Sequence, residues 1–437
     1  MKKVSLKTLV KATQILGMTA MAAGVSIANA ADDTIKVGVL HSLSGTMAIS
    51  ETTLKDTVLM MIEEQNKKGG LLGKKLEPVV VDPASNWPLF AEKTRELLEK
   101  EDVDVIFGCW TSVSRKSVLP VVEELNGLLF YPVQYEGEES SYNVFYTGAA
   151  PNQQAIPAVD YLINDLGVER FVLAGTDYVY PRTTNKILES YLKSKGVAEK
   201  DIMINYTPFG HSDWQTIVSD VKKFGSAGKK TAVVSTINGD ANVPFSKELA
   251  NQGVKAEDIP VVAFSVGEEE LSGFDTAPLV GHLAAWNYFQ SADSEVNEEF
   301  IKAWHNYIGS EERVTNDPME ATYIGFNMWA KAVEKAGSED VDKVRDAMYG
   351  IEVPNLTGGT AVMNENHHLS KPVLIGEIQE DGQFEIVWAT DAEVKGDAWT
   401  DFLPESANLI SDWTAPINCG NYNTVTKSCG GAVATEE

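Results

Sequence analysis

Short apolar runs alternate with segments of helical periodicity through most of the chain. Residues 35–40 form such a run, and Leu54, Val58 and Met61 follow it at helical spacing before a Gly-Gly pair ends the pattern. Strands separated by helices are typical of a doubly wound α/β architecture. The alternation predicts two series of strands, the first at 35–40, 79–81, 105–108, 128–131 and 144–146, and the second at 171–174, 202–206, 231–236 and 261–265.

Three breaks in this alternation divide the chain between two lobes. About 400 mature residues exceed the usual size of one core, and three breaks allow three crossings between two doubly wound lobes. Ligands of open α/β sheets bind outside the carboxyl ends of the strands, so two such lobes would share a cleft. The predicted segments are 31–148 and 286–353 for the first lobe, 149–285 and 354–390 for the second, and 391–437 for a C-terminal tail.

Polar and aromatic residues collect at the ends of three predicted strands. The sequences are VIFGCWTSVSRKSVLP at 105–120, LLFYPVQYEG at 128–137 and VLAGTDYVYPR at 172–182. The first runs into a Trp-Thr-Ser turn that opens a helix, which brings backbone N–H groups, a hydroxyl and an indole to one place. Together the three ends predict a pocket for a small polar ligand.

The N-terminus has the pattern of an export signal. Four lysines precede an apolar stretch over 12–27 that ends in Ala28-Asn29-Ala30. This pattern predicts a signal peptide over residues 1–30, cleaved near Ala30, and therefore a periplasmic protein. A membrane-anchoring helix is the alternative, and the short length of the stretch with its Gly, Thr and Ser residues disfavours it.

The three cysteines divide by their surroundings. Cys419 and Cys429 flank a short polar loop in the tail, which in an oxidising compartment predicts a small disulfide. Cys109 ends an apolar strand with no histidine nearby in sequence, so a buried inert thiol is expected there rather than a nucleophile.

Charge and motif content argue against several classes of function. The formal net charge is −27 at pH 7, which disfavours nucleic acid or an anionic membrane surface as partner. The sequence lacks the common hydrolase, zinc-enzyme and phosphate-loop motifs, so we expect neither catalysis nor a cofactor. The adjacent His367 and His368 suit a loop or strand better than a zinc site. Calcium on surface carboxylates is a further alternative, although no EF-hand pattern is present.

Seven long segments occur in collinear order: GCWTSVSRKSVLP, LFYPVQYEGEE, YTGAAPNQQ, GTDYVYPRTTN, GHSDWQTIV, STINGDANVPF and FSVGEEEL. They resemble the periplasmic binding proteins of the branched-chain amino acid and amide type, and within that group the urea-binding proteins of ABC importers. The resemblance covers nearly the whole mature chain. It implies a type I periplasmic binding protein fold, or Venus flytrap, whose ligand-bound closed form is recognised by a permease with its ATPase.

The resemblance also implies ligand-binding positions in both lobes. Asp240 and Glu268 or Glu269 are the weaker candidates, as hydrogen-bond acceptors on the second lobe. The other implied positions are Trp110, Ser112, Tyr131 and Gln134 in the first lobe, and Tyr178 and Tyr180 in the second.

Most of these residues also have a purely structural interpretation. Trp110 could pack in the core, Ser112 could be a helix N-cap, and the two tyrosines of the second lobe could lie on its surface. Asp240 ends a favourable turn sequence, and the glutamates at 268–270 could open a solvated helix. The neighbouring Arg115 and Lys116 are expected as surface charges, although either could face the cleft.

Urea fits the implied site by its chemistry. It carries one carbonyl acceptor, four N–H donors and two flat faces, so it needs donors, expected near Ser112 and Gln134, together with acceptors and aromatic walls. An amino acid would need a second hydroxyl where this chain has Val133. We therefore expect urea as ligand. The alternatives are acetamide or formamide, or a branched-chain amino acid, for import or for chemosensing.

Overall fold

The structure is a computed structural model that describes residues 34–404. The predicted signal peptide and the predicted disulfide between Cys419 and Cys429 lie outside the described residues, and both stay predictions.

The described residues form an alternating series of strands and helices. The strands are β1 (Thr34–Leu40), β2 (Lys75–Val81), β3 (Val105–Gly108), β4 (Leu129–Tyr131), β5 (Val144–Tyr146), β6 (Arg170–Thr176), β7 (Ile202–Thr207), β8 (Thr231–Thr236), β9 (Val261–Ala263), β10 (Leu283–Trp286), β11 (Glu352–Pro354), β12 (Thr360–Met363), β13 (Leu369–Lys371), β14 (Leu374–Ile378), β15 (Phe384–Ala389) and β16 (Val394–Lys395). The helices are α1 (Ala48–Lys67), α2 (Trp87–Glu99), α3 (Ser112–Glu124), α4 (Ala155–Asn164), α5 (Val179–Ser194), α6 (Gln215–Gly225), α7 (Asn242–Asn251), α8 (Glu268–Leu271), α9 (Glu295–Ile308), α10 (Asp317–Ala336) and α11 (Val341–Met348).

Two large sheets form the centres of two lobes. The sheet of the first lobe has the order β2-β1-β3-β4-β5, with parallel pairing from β1 to β5. The sheet of the second lobe has the order β7-β6-β8-β9-β10, all parallel, and continues into the antiparallel hairpin β14-β15. In both sheets the strand order reverses beside the first strand of the lobe, β1 or β6. Such a reversal opens a crevice at the carboxyl ends of the strands.

Each lobe has its own buried core. In the first, Val37 and Val39 of β1 and Leu54 and Val58 of α1 are fully buried together, as the helical spacing of the apolar residues of α1 requires. The second lobe buries Phe171, with other apolar residues of β6, β8 and α5, in a separate cluster. The predicted doubly wound architecture is confirmed.

Up to β15 the chain passes between the two lobes three times, and the third passage differs from the predicted one. The cores change between Ala150 and Ala155, near Trp286, and between Leu369 and Leu374. The sequence placed residues 354–390 in the second lobe, but β11 to β13 bury their apolar side chains in the first core. The reason is that the loop before β13 lies against β5, where Tyr146 N–H donates to the carbonyl of His367 at 2.9 Å.

The described part of the C-terminal tail returns to the first lobe. Its strand β16 pairs with β13, which completes a small antiparallel sheet in the order β11-β12-β13-β16. Beyond β16, the Glu138 N–H donates to the Ala398 carbonyl at 2.5 Å, so the tail covers the loop that carries the glutamates after β4.

Candidate functional site

The end of β3 makes a strained turn that brings Trp110 to the edge of the sheet. Cys109 has a φ of +67°, in the left-handed region that a non-glycine residue seldom adopts. Gly108 lets β3 approach β1, because a Cβ there would lie 2.4 Å from the Leu40 carbonyl oxygen. Burial raises the pKa of the Cys109 thiol, which is free and buried as expected.

Trp110 and Tyr131 join the ends of β3 and β4. The Tyr131 hydroxyl donates to the Trp110 carbonyl. The Trp110 ring belongs to the first core and is only 2 % exposed, so the interpretation as core packing is confirmed for the ring. Its Nε1 nevertheless has no hydrogen-bond partner among the described residues, which leaves a buried donor at the carboxyl edge of the sheet.

Ser112 is the first residue of α3 and not its N-cap. Thr111 caps the helix, since its side chain accepts from the Ser114 N–H at 3.1 Å. The buried Ser112 hydroxyl instead donates to Glu136 and accepts from Arg115 Nη1 at 3.1 Å. Its hydrogen bonds are therefore made to charged side chains behind the cleft wall.

Arg115 and Lys116 are buried, which corrects the prediction of surface charges. Arg115 is 0 % exposed. Its Nε donates to Glu139 at 2.8 Å and its Nη2 to Glu136 at 3.1 Å. Lys116 Nζ also donates to Glu139, at 2.8 Å. We call this group of two cations and two carboxylates, with Ser112, the buried ion network.

Aromatic rings surround the buried ion network. The Arg115 guanidinium lies 4.6 Å from the ring centre of Tyr131 and 4.7 Å from that of Tyr135, within the range of cation–π attraction. The Tyr146 hydroxyl donates to Glu139 at 2.7 Å. The wall of the first lobe therefore rests on charges that are hydrogen-bonded and enclosed.

The pKa values show which of the buried groups stay ionised. Burial lowers the pKa of Arg115, but Glu139 and Glu136 outweigh burial and raise it well above the ordinary value. Burial raises the pKa of Glu139, but Arg115 and Lys116 outweigh it and hold that pKa far below the usual range. Arg115 and Glu139 are therefore charged throughout the physiological pH range.

Gln134 connects the two lobes. It lies in the segment after β4, and its Nε2 donates to the Phe264 carbonyl and to Ser265 Oγ, both at 2.7 Å. Its Oε1 is buried without a partner among the described residues. The amide nitrogen of Gln134 thus donates across the interface between the lobes, whereas its amide oxygen stays available as an acceptor.

Tyr178 and Tyr180 face this wall from the second lobe. Both are buried and pack with Val113 of α3 and with Phe209, so the interpretation as surface aromatics is wrong. Burial raises the pKa of Tyr180, against the opposing effect of the Gln134 and Ser265 side chains. The Tyr180 hydroxyl has no partner in hydrogen-bond geometry within the described chain.

Asp240 lies at an exposed rim of the second lobe. Its side chain is exposed, and its backbone N–H donates to the Thr46 carbonyl of the first lobe at 3.3 Å. The contact between the lobes at this point is made by backbone, not by the Asp240 carboxylate.

The glutamates of α8 serve three different contacts. Glu268 is buried and accepts from the Gln290 N–H at 2.7 Å, so the interpretation as a solvated helix start is wrong for it. Glu269 accepts from Thr53 at 3.0 Å and from Arg313 at 3.3 Å. Glu270 accepts from Ser50 of the first lobe at 2.7 Å. Two of the three therefore join α8 to α1.

The structure thus brings together six of the eight implied residues, and places Asp240 and Glu268 elsewhere. Sequence reasoning missed the buried ion network. A signal was present, because Arg115 and Lys116 precede an apolar run and the segment after β4 carries Glu136, Glu138 and Glu139 within four positions. Charged residues that lie between apolar elements can be buried if they pair with each other, and the sequence offers both signs of charge here.

Residues 34–404 contain neither a candidate membrane span nor a candidate metal site. No helix there is long and apolar enough to cross a membrane. No group of three or more His, Cys, Asp or Glu side chains in the same range could hold a metal ion. His367 and His368 pack against aromatic rings of the first lobe, with 4.7 Å between the ring centres of His368 and Tyr146.

Known proteins resemble the chain along most of its length. A Leu/Ile/Val-binding protein homologue of Brucella melitensis is 24% identical and aligns over 87% of this chain and 96% of that protein. A solute-binding protein of an ABC transporter from Rhodopseudomonas palustris, solved with 3,4-dihydroxybenzoic acid, has a TM-score of 0.71 at 18% identity, covering 83% of this chain and 98% of that one.

A shorter match has a different name. Limonene hydroxylase of Geobacillus stearothermophilus is 32% identical over 30% of this chain and 24% of its own length, so this chain spans about a quarter of that protein. The family described as periplasmic binding protein domain matches residues 35–405. With its two doubly wound lobes and three crossings, the chain belongs to the periplasmic binding proteins and has their type I fold.

Proposed function

We propose that this chain is an exported, non-catalytic receptor that binds urea between its lobes in the periplasm and delivers it to an ABC permease and its ATPase. The observation that supports the ligand is the hydrogen-bonding capacity left over at the cleft. Two of the polar side chains there have donated all their protons within the protein and can offer only lone pairs.

Ser112 is the first of these side chains. Glu136 can only accept, so the hydroxyl proton of Ser112 is used in that hydrogen bond, and Arg115 can only donate, so it takes one lone pair. One lone pair is left. Ser112 therefore accepts from a ligand and does not donate, contrary to the expectation from sequence.

Gln134 is the second. The Phe264 carbonyl can only accept, which fixes the amide nitrogen on that side. With Ser265 as its second acceptor, both N–H bonds are used. The remaining Oε1 is a buried acceptor without a partner in the described chain, and the sequence had also predicted a donor here.

Urea complements this arrangement. Its N–H groups suit the acceptors Ser112 and Gln134, and its carbonyl suits a donor such as Trp110 Nε1 or the Tyr180 hydroxyl. A carboxylate has no N–H group and would leave both acceptors unpaired, at a cost of about 1–3 kcal/mol each. Urea has few atoms, so its binding free energy should not exceed about −6 kcal/mol, or tens of micromolar.

A branched-chain amino acid is the second candidate. The names of the relatives favour it, because the Brucella homologue is called a Leu/Ile/Val-binding protein. Its ammonium group could donate to Ser112 and Gln134. Its carboxylate would still need several donors, and the leftover ones are Trp110 Nε1 and the Tyr180 hydroxyl.

Calorimetric titration of the mature, ligand-stripped protein distinguishes the candidates. Urea, acetamide, formamide and leucine are titrated in parallel, and we expect saturable binding of urea in preference to the others. Trp110→Phe, which keeps a ring but removes Nε1–H, should weaken urea binding about tenfold, the value of one hydrogen bond in a buried site. Preference for leucine would replace the proposed ligand and keep the fold.

A further inference from the structure

We infer that Glu136 is a specificity-determining residue of this cleft, which holds the Ser112 hydroxyl as an acceptor and excludes anionic ligands. The inference rests on the proposed function and extends it from the ligand to the basis of selectivity.

Glu136 is held in one position from two sides. It is 0 % exposed. One carboxylate oxygen accepts from Ser112 and the other accepts from Arg115 Nη2 at 3.1 Å. Because Arg115 is itself bound to Glu139, the Glu136 carboxylate cannot turn away from Ser112 without breaking the pairing of a buried cation.

The charge of Glu136 also acts on the tyrosines of the second lobe. Burial is the main cause that raises the pKa of Tyr178 and of Tyr180; Glu136 adds to the rise in both, and Arg115 opposes it at Tyr178. These tyrosines belong to the second lobe, so the carboxylate acts on groups on both sides of the cleft. A ligand between Ser112 and the tyrosines would lie within the same field.

A negative ligand would therefore meet a Ser112 hydroxyl that has only a lone pair to offer. An anion left without a donor in an enclosed site loses its hydration without compensation. The Arg115 and Lys116 cations balance the charges of Glu136 and Glu139 and are hydrogen-bonded to them, so the rejection of an anion rests on the missing donor at Ser112. Neutral N–H donors are attracted by the same arrangement. One carboxylate thus favours amides and rejects acids of equal size.

The test compares acetamide with acetate, which have the same number of heavy atoms and differ in charge and in N–H donors. Acetamide, acetate and urea are each titrated separately, at pH 7, into wild type and into Glu136→Gln. The substitution leaves one cationic charge without its anion and frees the Ser112 hydroxyl to donate. We expect urea affinity to fall at least tenfold and the ratio of acetate to acetamide affinity to rise at least tenfold.

Glu124→Gln is the matched control. Glu124 is the last residue of α3, pairs with Arg95 of α2 and is 61% exposed, so the variant has the same charge change without contact to Ser112. Its acetate to acetamide ratio should stay within about twofold of wild type. An equal change in both variants would show a general charge effect and overturn the inference.

Ser112→Ala keeps the inference testable if Glu136→Gln does not fold. It removes the acceptor and retains the buried carboxylate, so it should lose urea affinity and still reject acetate. Acetate binding by Ser112→Ala would overturn the inference. If wild type binds urea and the ratio of acetate to acetamide affinity is unchanged in Glu136→Gln, the inference about Glu136 fails and the proposed function stands. If wild type itself prefers acetate or leucine, the proposed function fails with it.

Discussion

The two lobes bury their carboxyl groups in opposite ways. In the first lobe, Glu136 and Glu139 are paired with Arg115 and Lys116. In the second lobe, the buried Glu268 has no cation in hydrogen-bond contact, and one of its oxygens has no partner within residues 34–404. The first wall is thus preformed by its own ion pairs, whereas α8 carries a buried carboxyl group that no cation compensates within the described residues.

The pKa values express this difference. Burial raises the pKa of Glu268 to about 8 and that of Glu270 to about 7. In the first wall, pairing with Arg115 holds the pKa of Glu139 far below its usual range in spite of burial. A paired carboxylate and an unpaired one at equal burial therefore titrate on opposite sides of neutrality.

Arg115→Met should give the largest effect, because it removes the central cation from two buried carboxylates. We expect about 3–5 kcal/mol of lost stability, the usual result of breaking a buried ion pair from one side. Guanidinium chloride denaturation measures it, since urea as denaturant would also be the proposed ligand.

Arg95→Met provides the comparison on the surface. Arg95 pairs with Glu99 and Glu124, all of them substantially exposed, and such pairs are worth about 0–1 kcal/mol. If Arg115→Met were no more harmful than Arg95→Met, the preformed character of the first wall would be refuted.

Glu268→Gln should stabilise the protein, whereas Arg115→Met destabilises it, and the size of its effect should be intermediate. The folded protein keeps the Glu268 proton up to about pH 8, whereas the unfolded chain loses it near 4.5. The folded state therefore binds more protons within this window, and the contribution of Glu268 to stability falls as the pH rises through it. The neutral variant should gain about 1–3 kcal/mol at pH 9 and little at pH 5.

Buried histidines also contribute to the pH dependence of stability, so the profile of the wild type by itself does not isolate Glu268. Burial lowers the pKa of His282, His367 and His368 to about 4 each. Their contribution is present above pH 6.5 and is lost as the pH falls toward 4, opposite to that of Glu268. The difference between Glu268→Gln and wild type cancels the histidines. An equal difference at pH 5 and pH 9 would show that Glu268 does not titrate between them.

The fold was largely predictable because its signals are local. Apolar runs and helical spacing located the strands and α1, and the Trp-Thr-Ser turn after β3 opens a helix, α3, at Ser112. The third crossing was misplaced because no local signal shows that the segment around His367 lies against β5. Such contacts join residues more than 200 positions apart.

The site was predictable to the same extent. Strand ends indicated Trp110, Tyr131 and Tyr178, since parallel strands place their carboxyl ends at one edge. The sequence predicted donors near Ser112 and Gln134, but the protons of both side chains are used within the protein, by partners elsewhere in the chain. The Ser112 proton is taken by Glu136, 24 positions later, and the Gln134 amide by Phe264, 130 positions later.

Asp240→Asn should have the smallest effect, because the rim of the second lobe differs from both walls in being exposed to solvent. The hydrogen bond to Thr46 uses the Asp240 backbone and survives the substitution, and exposed side chains typically contribute less than about 0.5 kcal/mol. Urea affinity should therefore change by no more than about twofold, measured by the same calorimetric titration. A tenfold loss would move the binding site toward the rim, and would mean that the Asp240 carboxylate accepts from the ligand in place of Ser112 or Gln134.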